Sequence, residues 1–333
     1  MLINDLNEFE LISILAKVLD QGHAKWGMSG MNHLDLTVSN GDDAAAWAPN
    51  TPYEVFTMDA CVENVHFRRD FSGWYEIGWK TLASNISDIA SMGAQPLYGL
   101  VTLGVPATFS VKDLKEMYQG FADISGQYQM MMVGGDLVRS DNVFISISLI
   151  GGSDAPPLTR SKASEGDVVI LTGTVGASKA GLLLLQKELP IYDNNETFLI
   201  EKHRKPYPHV SQGKVLSRLQ NVSTMDVSDG VFSDLTKLCE SSECGAIIHS
   251  ESIPVDDQLS DCFPEDFLKI ALSGGEDYVL LATVNPDQID NLKQNIDLFV
   301  IGKIVSKEQG ISVLDTHGNH QDKNDFLGWD HFR

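Results

Sequence analysis

Aspartate recurs wherever an apolar run gives way to Gly, Ser or Asn, and that recurrence most narrows what this sequence can fold into. The first instance is a pair, Asn40-Gly41-Asp42-Asp43-Ala44-Ala45. Asp59 follows Val55-Phe56-Thr57-Met58, Asp88 closes Asn85-Ile86-Ser87-Asp88, and Asp136 follows Met132-Val133-Gly134-Gly135. Asp226 and Asp229 then bracket Val227-Ser228. Burying like charges is costly unless cations or hydrogen bonds compensate them, so packing alone gives no reason for the pattern. A polar turn would account for any one of these residues taken singly. Their repeated placement at the ends of apolar segments, where loops carry function, points to one shared site of hard oxygen ligands. Such ligands suit Mg²⁺, which keeps waters and binds one or two carboxylates together with substrate phosphates. The pattern reads as a metal–phosphate site.

Charge agrees with that reading. The chain carries 46 acidic and 24 basic residues, a formal net charge of −22, which argues against nucleic acid or anionic membranes as partners. A nucleotide's charge would have to be offset largely by bound cations. At 333 residues the chain exceeds what one core serves, so two domains are expected. Cys61, Cys239, Cys244 and Cys262 show no CxxC spacing and read as reduced thiols of a cytoplasmic protein. Met1-Leu2-Ile3-Asn4-Asp5 lacks a basic n-region, so no secretory signal is expected, and no apolar run approaches a membrane span.

Apolar spacing predicts an amphipathic helix over 8–20, followed by an irregular stretch over 21–36. A strand is expected over 53–58 and a long helix over 74–92, in which Asn85 and Asp88 share a face. Then come a strand over 97–105, a helix over 110–126 capped by Ser110 or Asp113, and strands over 130–133 and 143–150. Gly151 to Pro157 is the candidate boundary, giving domains 1–152 and 153–333. Beyond it, strand 167–172 turns into a Leu-rich helix and strand 222–226 into helix 231–241, with strands near 246–249, 278–284 and 298–304. The fold class is α/β (α+β).

Gly173 to Ala180 invites a phosphate-loop reading and fails on chemistry. Ser178 stands where that motif needs Gly, and Ala180 stands where it needs the hydroxyl that holds Mg²⁺. A tight strand-to-helix turn is the better reading. Gly134-Gly135-Asp136 reads equally as a hairpin turn, and Ser273 to Asp277 as a polar loop. Taken singly, Arg160 reads as a surface residue, and His66 and Trp329 as packing residues. No motif supplies a covalent nucleophile.

Together these stretches resemble the thiamine-monophosphate kinase family, within the aminoimidazole ribonucleotide synthetase superfamily. The resemblance rests on GDDAA (41–45), MDACVENVHF (58–67), NISDIASMGAQP (85–96), VGGD (133–136) and LTRSKASEGD (158–167). It continues through TGTVGASKAGL (172–182), HRKPYP (203–208), MDVSDG (225–230), LSGGEDY (272–278) and GWDHF (328–332). It implies transfer of the γ-phosphate of ATP directly to thiamine monophosphate, giving thiamine diphosphate and ADP. It implies several Mg²⁺ ions on Asp43, Asp59, Asp88, Asp136, Asp226 and Asp229, helped by oxygens of Thr57 and Met58. Tyr118, Gly135, Asp136, Arg160 and Ser228 would contact ATP, and His66, Glu276 and Trp329 the thiamine phosphate. A homodimer is implied, formed through the N-terminal mixed sheet, with a C-terminal α/β domain completing the site. The chain departs from the family pattern at Ala60, Cys61, Asn64, Leu137 and His209, where Thr, Leu, Gly, Thr and Arg are usual, and Trp329 replaces a common Tyr.

Other readings stay open. Another ATP-using superfamily member, such as the ribonucleotide synthetase, fits the same motifs. The hydrogenase-maturation member presents a C-terminal cysteine, whereas this chain closes Trp329-Asp330-His331-Phe332-Arg333. A non-catalytic acidic metal-binding protein would bind Mg²⁺ or Ca²⁺ without ATP turnover.

Overall fold

The computed structural model describes residues 1–28, 36–39, 44–187 and 192–328. Internal contacts divide the chain into one unit of Met1–Ile89 with Gln95–Asp154, and a second of Ala90–Ala94 with Ala155–Arg333.

The first unit opens with helix α1, Glu8–Lys25. Asn7 caps it reciprocally: its side chain accepts from Glu10 N at 3.0 Å while Glu10 accepts from Asn7 N at 3.0 Å. The helix runs past the expected residue 20, because its buried stripe of Leu11, Leu15 and Leu19 continues through His23. A short antiparallel pair follows, β1 (Leu36–Val38) with β2 (Ala46–Trp47). Four long strands make the main sheet: β3 (Tyr53–Val62), β4 (Gln95–Val105), β5 (Met131–Arg139) and β6 (Phe144–Ser153), in the order β3-β6-β4-β5. The β4–β5 pair is parallel and the other two are antiparallel, so the sheet is mixed.

Helix α2, Trp74–Ser91, is buried almost all round, its polar Thr81, Ser84, Asn85 and Ser87 included. Helix α3, Val111–Gln127, starts at Ser110, whose hydroxyl accepts from Lys112 N at 3.2 Å. The two helices cross on glycine. A Cβ at Gly78 would lie 2.2 Å from the Met117 carbonyl oxygen, and one at Gly120 2.2 Å from that of Tyr75. One sheet face buries Ile145, Ile147, Leu149, Val101 and Leu103. Burial of each such side chain is worth about 1.5–3 kcal/mol against exposure. Register partners share a face, so the opposite face carries Phe56, Met58, Leu100 and Val138, which are 71%, 64%, 45% and 38% exposed.

Two expectations change here. Strand β3 continues to Val62 and β5 to Arg139, so Asp59 and Asp136 lie inside strands rather than at their ends. Gly134 and Gly135 are strand residues, not a hairpin turn. A Cβ at Gly135 would lie 2.0 Å from the Val101 carbonyl oxygen, so the glycine admits a close strand neighbour.

The second unit is a six-stranded sheet with helices. Its strands are β7 (Val168–Leu171), β8 (Ser223–Asp226), β9 (Gly245–His249), β10 (Leu280–Val284), β11 (Phe299–Val305) and β12 (Ile311–Leu314), ordered β12-β9-β11-β7-β10-β8. Only the β12–β9 pair of this sheet is parallel. Its helices are α4 (Ala177–Gln186), α5 (Asn194–Arg204), α6 (Val210–Leu216), α7 (Val231–Ser242), α8 (Asp257–Cys262), α9 (Phe267–Ser273) and α10 (Ile289–Leu292). The Gly173–Gly181 stretch is the strand-to-helix turn from β7 into α4, as its chemistry required.

Candidate functional site

Alternation along β3 sends Thr57 and Asp59 to the face opposite Met58. On that side they meet α2. The Thr57 hydroxyl donates to Asp88 Oδ2 at 2.5 Å, and the Asp59 N–H donates to Asn85 Oδ1 at 3.1 Å. Asn85, fully buried, donates in turn from Nδ2 to the Thr81 carbonyl at 3.1 Å. Thus Thr57, Asp59 and Asp88 are brought together, with Asn85 joining strand to helix. Asp88 is partly open inside an otherwise buried run of α2, residues 81–91, so it meets solvent where the neighbouring side chains do not.

A cavity of about 840 Å³ lies in the same unit. Its wall includes Tyr118, Gly135 and Asp136, with Tyr98, Leu100 and Trp47. That volume falls within the range of small-molecule sites. Burial pushes the Tyr118 phenol well above its usual range, so it stays a neutral donor and acceptor. His66 sits just beyond β3, where its Nδ1 accepts from Val62 N at 3.1 Å. The neutral ring therefore carries its proton on Nε2. Asp43 and Trp329 lie outside the described residues.

In the second unit two loops lie side by side. The Glu276 N–H donates to the Ser228 carbonyl at 3.0 Å, and the Tyr278 N–H to that of Val227 at 3.1 Å. This places buried Asp226, half-buried Ser228 and Asp229, and Glu276 in one neighbourhood. Glu276 adopts φ of 64°, a left-handed conformation uncommon outside Gly, Asn and Asp. Its Oε2 is 3.8 Å from His203 Nδ1. Arg160 is not gathered here. Its carbonyl accepts from Ser242 Oγ at 2.7 Å in the last turn of α7, whereas Ser228 precedes the first turn of that helix.

Asp234, Lys237 and Asn85 carry structure that the motif reading did not assign. Asp234 Oδ2 accepts from the N–H groups of Ser228, Asp229 and Gly230 at 3.0, 3.0 and 3.1 Å. Three successive N–H groups around one oxygen form an anion nest, filled here by the protein's own carboxylate. Lys237 Nζ reaches both Asp234 Oδ1, at 2.8 Å, and Asp229 Oδ2, at 2.5 Å. Burial raises the Asp234 pKa against the pull of Lys237. Burial also opposes the Lys237 charge, but Asp234 and Asp229 outweigh it and raise the lysine pKa. The spacing of Asp234 and Lys237, one helical turn, is the sequence signal that finds this pair.

A smaller pocket of about 200 Å³ is lined by Thr174, Lys202, His209, Asp256 and Asp277 among others. Asp277 accepts from Gly176 N at 2.6 Å and Ser178 N at 3.0 Å, capping α4 across the fold. Burial pushes its carboxyl up to about 7 in spite of those bonds. Burial and nearby Lys202 push His209 down to about 4, while Thr172 Oγ1 lies 2.7 Å from its Nδ1.

The donors fit a hard cation. Asp88 with the Thr57 hydroxyl, and Asp59 on the same face of β3, offer only oxygen side-chain ligands, the type Mg²⁺ prefers. Among the described residues no three His, Cys, Asp or Glu side chains form a closed metal cage.

Residues 41–152 match the AIR synthase related protein N-terminal domain, and residues 164–315 the corresponding C-terminal domain. Fold and sites together thus define an AIR synthase-related chain of two domains. Thiamine-monophosphate kinase of Bacillus subtilis (strain 168) is 35% identical over 296 residues, 86% of this chain and 91% of its own length. The crystal structure of thiamine-monophosphate kinase from Stenotrophomonas maltophilia K279a is 29% identical, with a TM-score of 0.80 over 92% of this chain and 96% of that one. AaThiL complexed with AMPPCP and TMP is 29% identical, with a TM-score of 0.77 over 100% of this chain and 99% of that one. The chain belongs to the thiamine-monophosphate kinase family.

Proposed function

We propose that this chain transfers the γ-phosphoryl group of ATP to thiamine monophosphate, giving thiamine diphosphate and ADP. The observation that carries the reading is the full-length match to AaThiL, whose structure holds AMPPCP and TMP together. The local geometry supports it. Phosphoryl transfer asks a protein for positioning and charge neutralisation more than covalent chemistry. Bound Mg²⁺ would supply Lewis-acid charge neutralisation at the phosphates. Asp43, Asp59, Asp88, Asp136, Asp226 and Asp229, with oxygens of Thr57 and Met58, would hold several such ions. Tyr118, Gly135, Asp136, Arg160 and Ser228 would bind ATP. His66 would donate Nε2–H to the acceptor phosphate without adding a permanent charge near neutral pH. Glu276 would hold a polar group of the pyrimidine, and the Trp329 ring would face the cationic thiazolium.

Transfer is direct and in line, because the acceptor already carries an attacking phosphate oxygen. The N-terminal sheet would pair with its twin in a homodimer. Support comes from Phe56, Met58, Leu100 and Val138, apolar side chains exposed on one sheet face. The four cysteines, none at CxxC spacing, support a reducing, cytoplasmic setting. Among the described residues no helix is long and apolar enough to cross a membrane.

The test is direct. Protein, Mg²⁺·ATP and thiamine monophosphate should yield thiamine diphosphate with stoichiometric ADP. Chiral γ-phosphorothioate ATP should give inversion at phosphorus. Retention would require a phosphoenzyme, and Mg²⁺ binding without ADP release would return the acidic metal-binding protein as the better reading.

A further inference from the structure

Lys237, on helix α7, is tied to the loop that carries Asp229. Its Nζ donates to Asp229 Oδ2 at 2.5 Å and to Asp234 Oδ1 at 2.8 Å. The second Asp234 oxygen is itself fixed by the N–H groups of Ser228, Asp229 and Gly230. The Asp234 side chain is 0% exposed, whereas those of Lys237 and Asp229 are 38% and 33% exposed. The ammonium is therefore anchored from the inside by a locked carboxylate, and it meets solvent beside Asp229. A lysine on an open surface swings clear of an approaching cation; this one is tethered.

We propose that Lys237 is an internal counter-ion for Asp229, one that lowers this loop's affinity for a free divalent cation until nucleotide phosphate arrives. The proposal rests on Asp229 as a metal ligand, the reading given above. Its physics is charge competition. Lysine is a compact, strongly hydrated point charge, and a divalent ion on the remaining Asp229 oxygen would sit a few ångströms from it. Repulsion across that distance is substantial in half-solvated protein. Nucleotide phosphates bring negative charge that both cations share, so the penalty falls when metal and nucleotide arrive together. The loop would then load as a metal–nucleotide complex and stay largely empty of free Mg²⁺. A purely structural lysine, bracing the start of α7, has no such consequence.

The experiment is calorimetric titration of Mg²⁺ into nucleotide-free protein. The variants are Lys237→Met, Lys237→Arg, Asp229→Asn and the Lys237→Met/Asp229→Asn double variant, with thermal unfolding to check each fold. Lys237→Met should bind Mg²⁺ about tenfold more tightly, the order expected of one unit charge at this range. Lys237→Arg, which keeps the charge, should titrate like wild type, and the double variant should lose the gain. If the methionine variant does not fold, Lys237→Gln keeps a donor without the charge and should show the same gain. Unchanged or weaker binding in the uncharged variant, where Asp229→Asn weakens it, overturns the proposal and spares Asp229 as a ligand. Equal Mg²⁺ binding with and without Asp229→Asn in both backgrounds overturns the ligand reading, and the proposal with it.

Discussion

In the N-terminal unit Asp88 meets a threonine hydroxyl and Asp59 is fixed through its backbone to a buried asparagine. In the C-terminal unit Asp229 meets a lysine, and Asp234 gathers three peptide N–H groups. Both arrangements fix acidic residues at a loop or strand. They differ in charge. A hydroxyl on the carboxylate, or an amide on the backbone beside it, fixes the residue without neutralising its charge, which leaves its attraction for a metal intact. A lysine aims a carboxylate by neutralising it, which trades metal affinity for a stable loop. Two regions with the same residue type therefore have different electrostatic appetites, and the neighbour sets the difference.

The largest test of this contrast strikes the N-terminal set. Asp88→Asn should lower turnover by roughly a thousandfold, the upper end of what one well-placed electrostatic group supplies. Asp136→Asn, in the wall of the larger cavity, should do the same. Both should keep the wild-type circular dichroism and melt no lower, because each removes a negative charge from an acidic site. Thiamine diphosphate formation measures the loss. Wild-type turnover in both variants would remove the N-terminal carboxylates from the site.

Next in size is the nest. Asp234→Ala leaves three N–H groups without their acceptor and takes from Lys237 one of its two carboxylates, so it should cost several times the roughly 1 kcal/mol of one net hydrogen bond. Asn85→Ala loses two neutral hydrogen bonds and should cost less, about 1–3 kcal/mol. Denaturant melts of both variants compare the two supports directly. Equal costs would erase the distinction between charged and neutral scaffolding. Asn85→Ala should also lower turnover beyond its effect on stability, since the Asp59 N–H loses its fixed partner.

Much of this was legible in the residues. Helix 74–91 declares itself by recurring apolar residues (Trp74, Ile77, Leu82, Ile86, Ile89), and Ser110 declares the start of α3 by its hydroxyl. The aspartates could be named because their flanks repeat. What bonds to them could not. Asn85 lies 26 residues from Asp59, and only the packing of α2 on β3 makes them partners. Asp59 and Asp136 looked like strand ends because β-propensity is weak at Ala60, Gly134 and Gly135, yet strand pairing carries β3 and β5 past them. Strand β12 was not anticipated, since four residues following a turn give too short a pattern to separate from loop. Lys237 was within reach of a one-turn spacing argument, and its two acceptors were within eight residues of it.

The smallest effect concerns half-buried charge in the pocket shared by Asp277 and His209. The Asp277 pKa is raised from 3.8 to about 7, so between those values the folded chain holds a proton that the unfolded chain has lost. Stability from this group is fully present below about 4 and declines as pH rises to 7. The His209 pKa is lowered from 6.5 to about 4, so in that window the unfolded chain holds the extra proton, and stability rises with pH. Each slope is at most about 1.4 kcal/mol per pH unit, and the two have opposite signs. Between pH 4 and 6.5 they should nearly cancel, leaving the contribution of this pocket flat. His209→Gln should expose the Asp277 slope, so that this variant loses stability relative to wild type as pH climbs from 4 to 6.5. Asp277→Asn should expose the reverse slope and gain on wild type over the same interval, from a lower start because its amide cannot accept from both Gly176 and Ser178. Denaturant melts at half-unit pH steps decide it. Parallel curves for wild type and both variants would mean that neither group titrates out of range, and that the pocket is held by packing rather than by compensated charge.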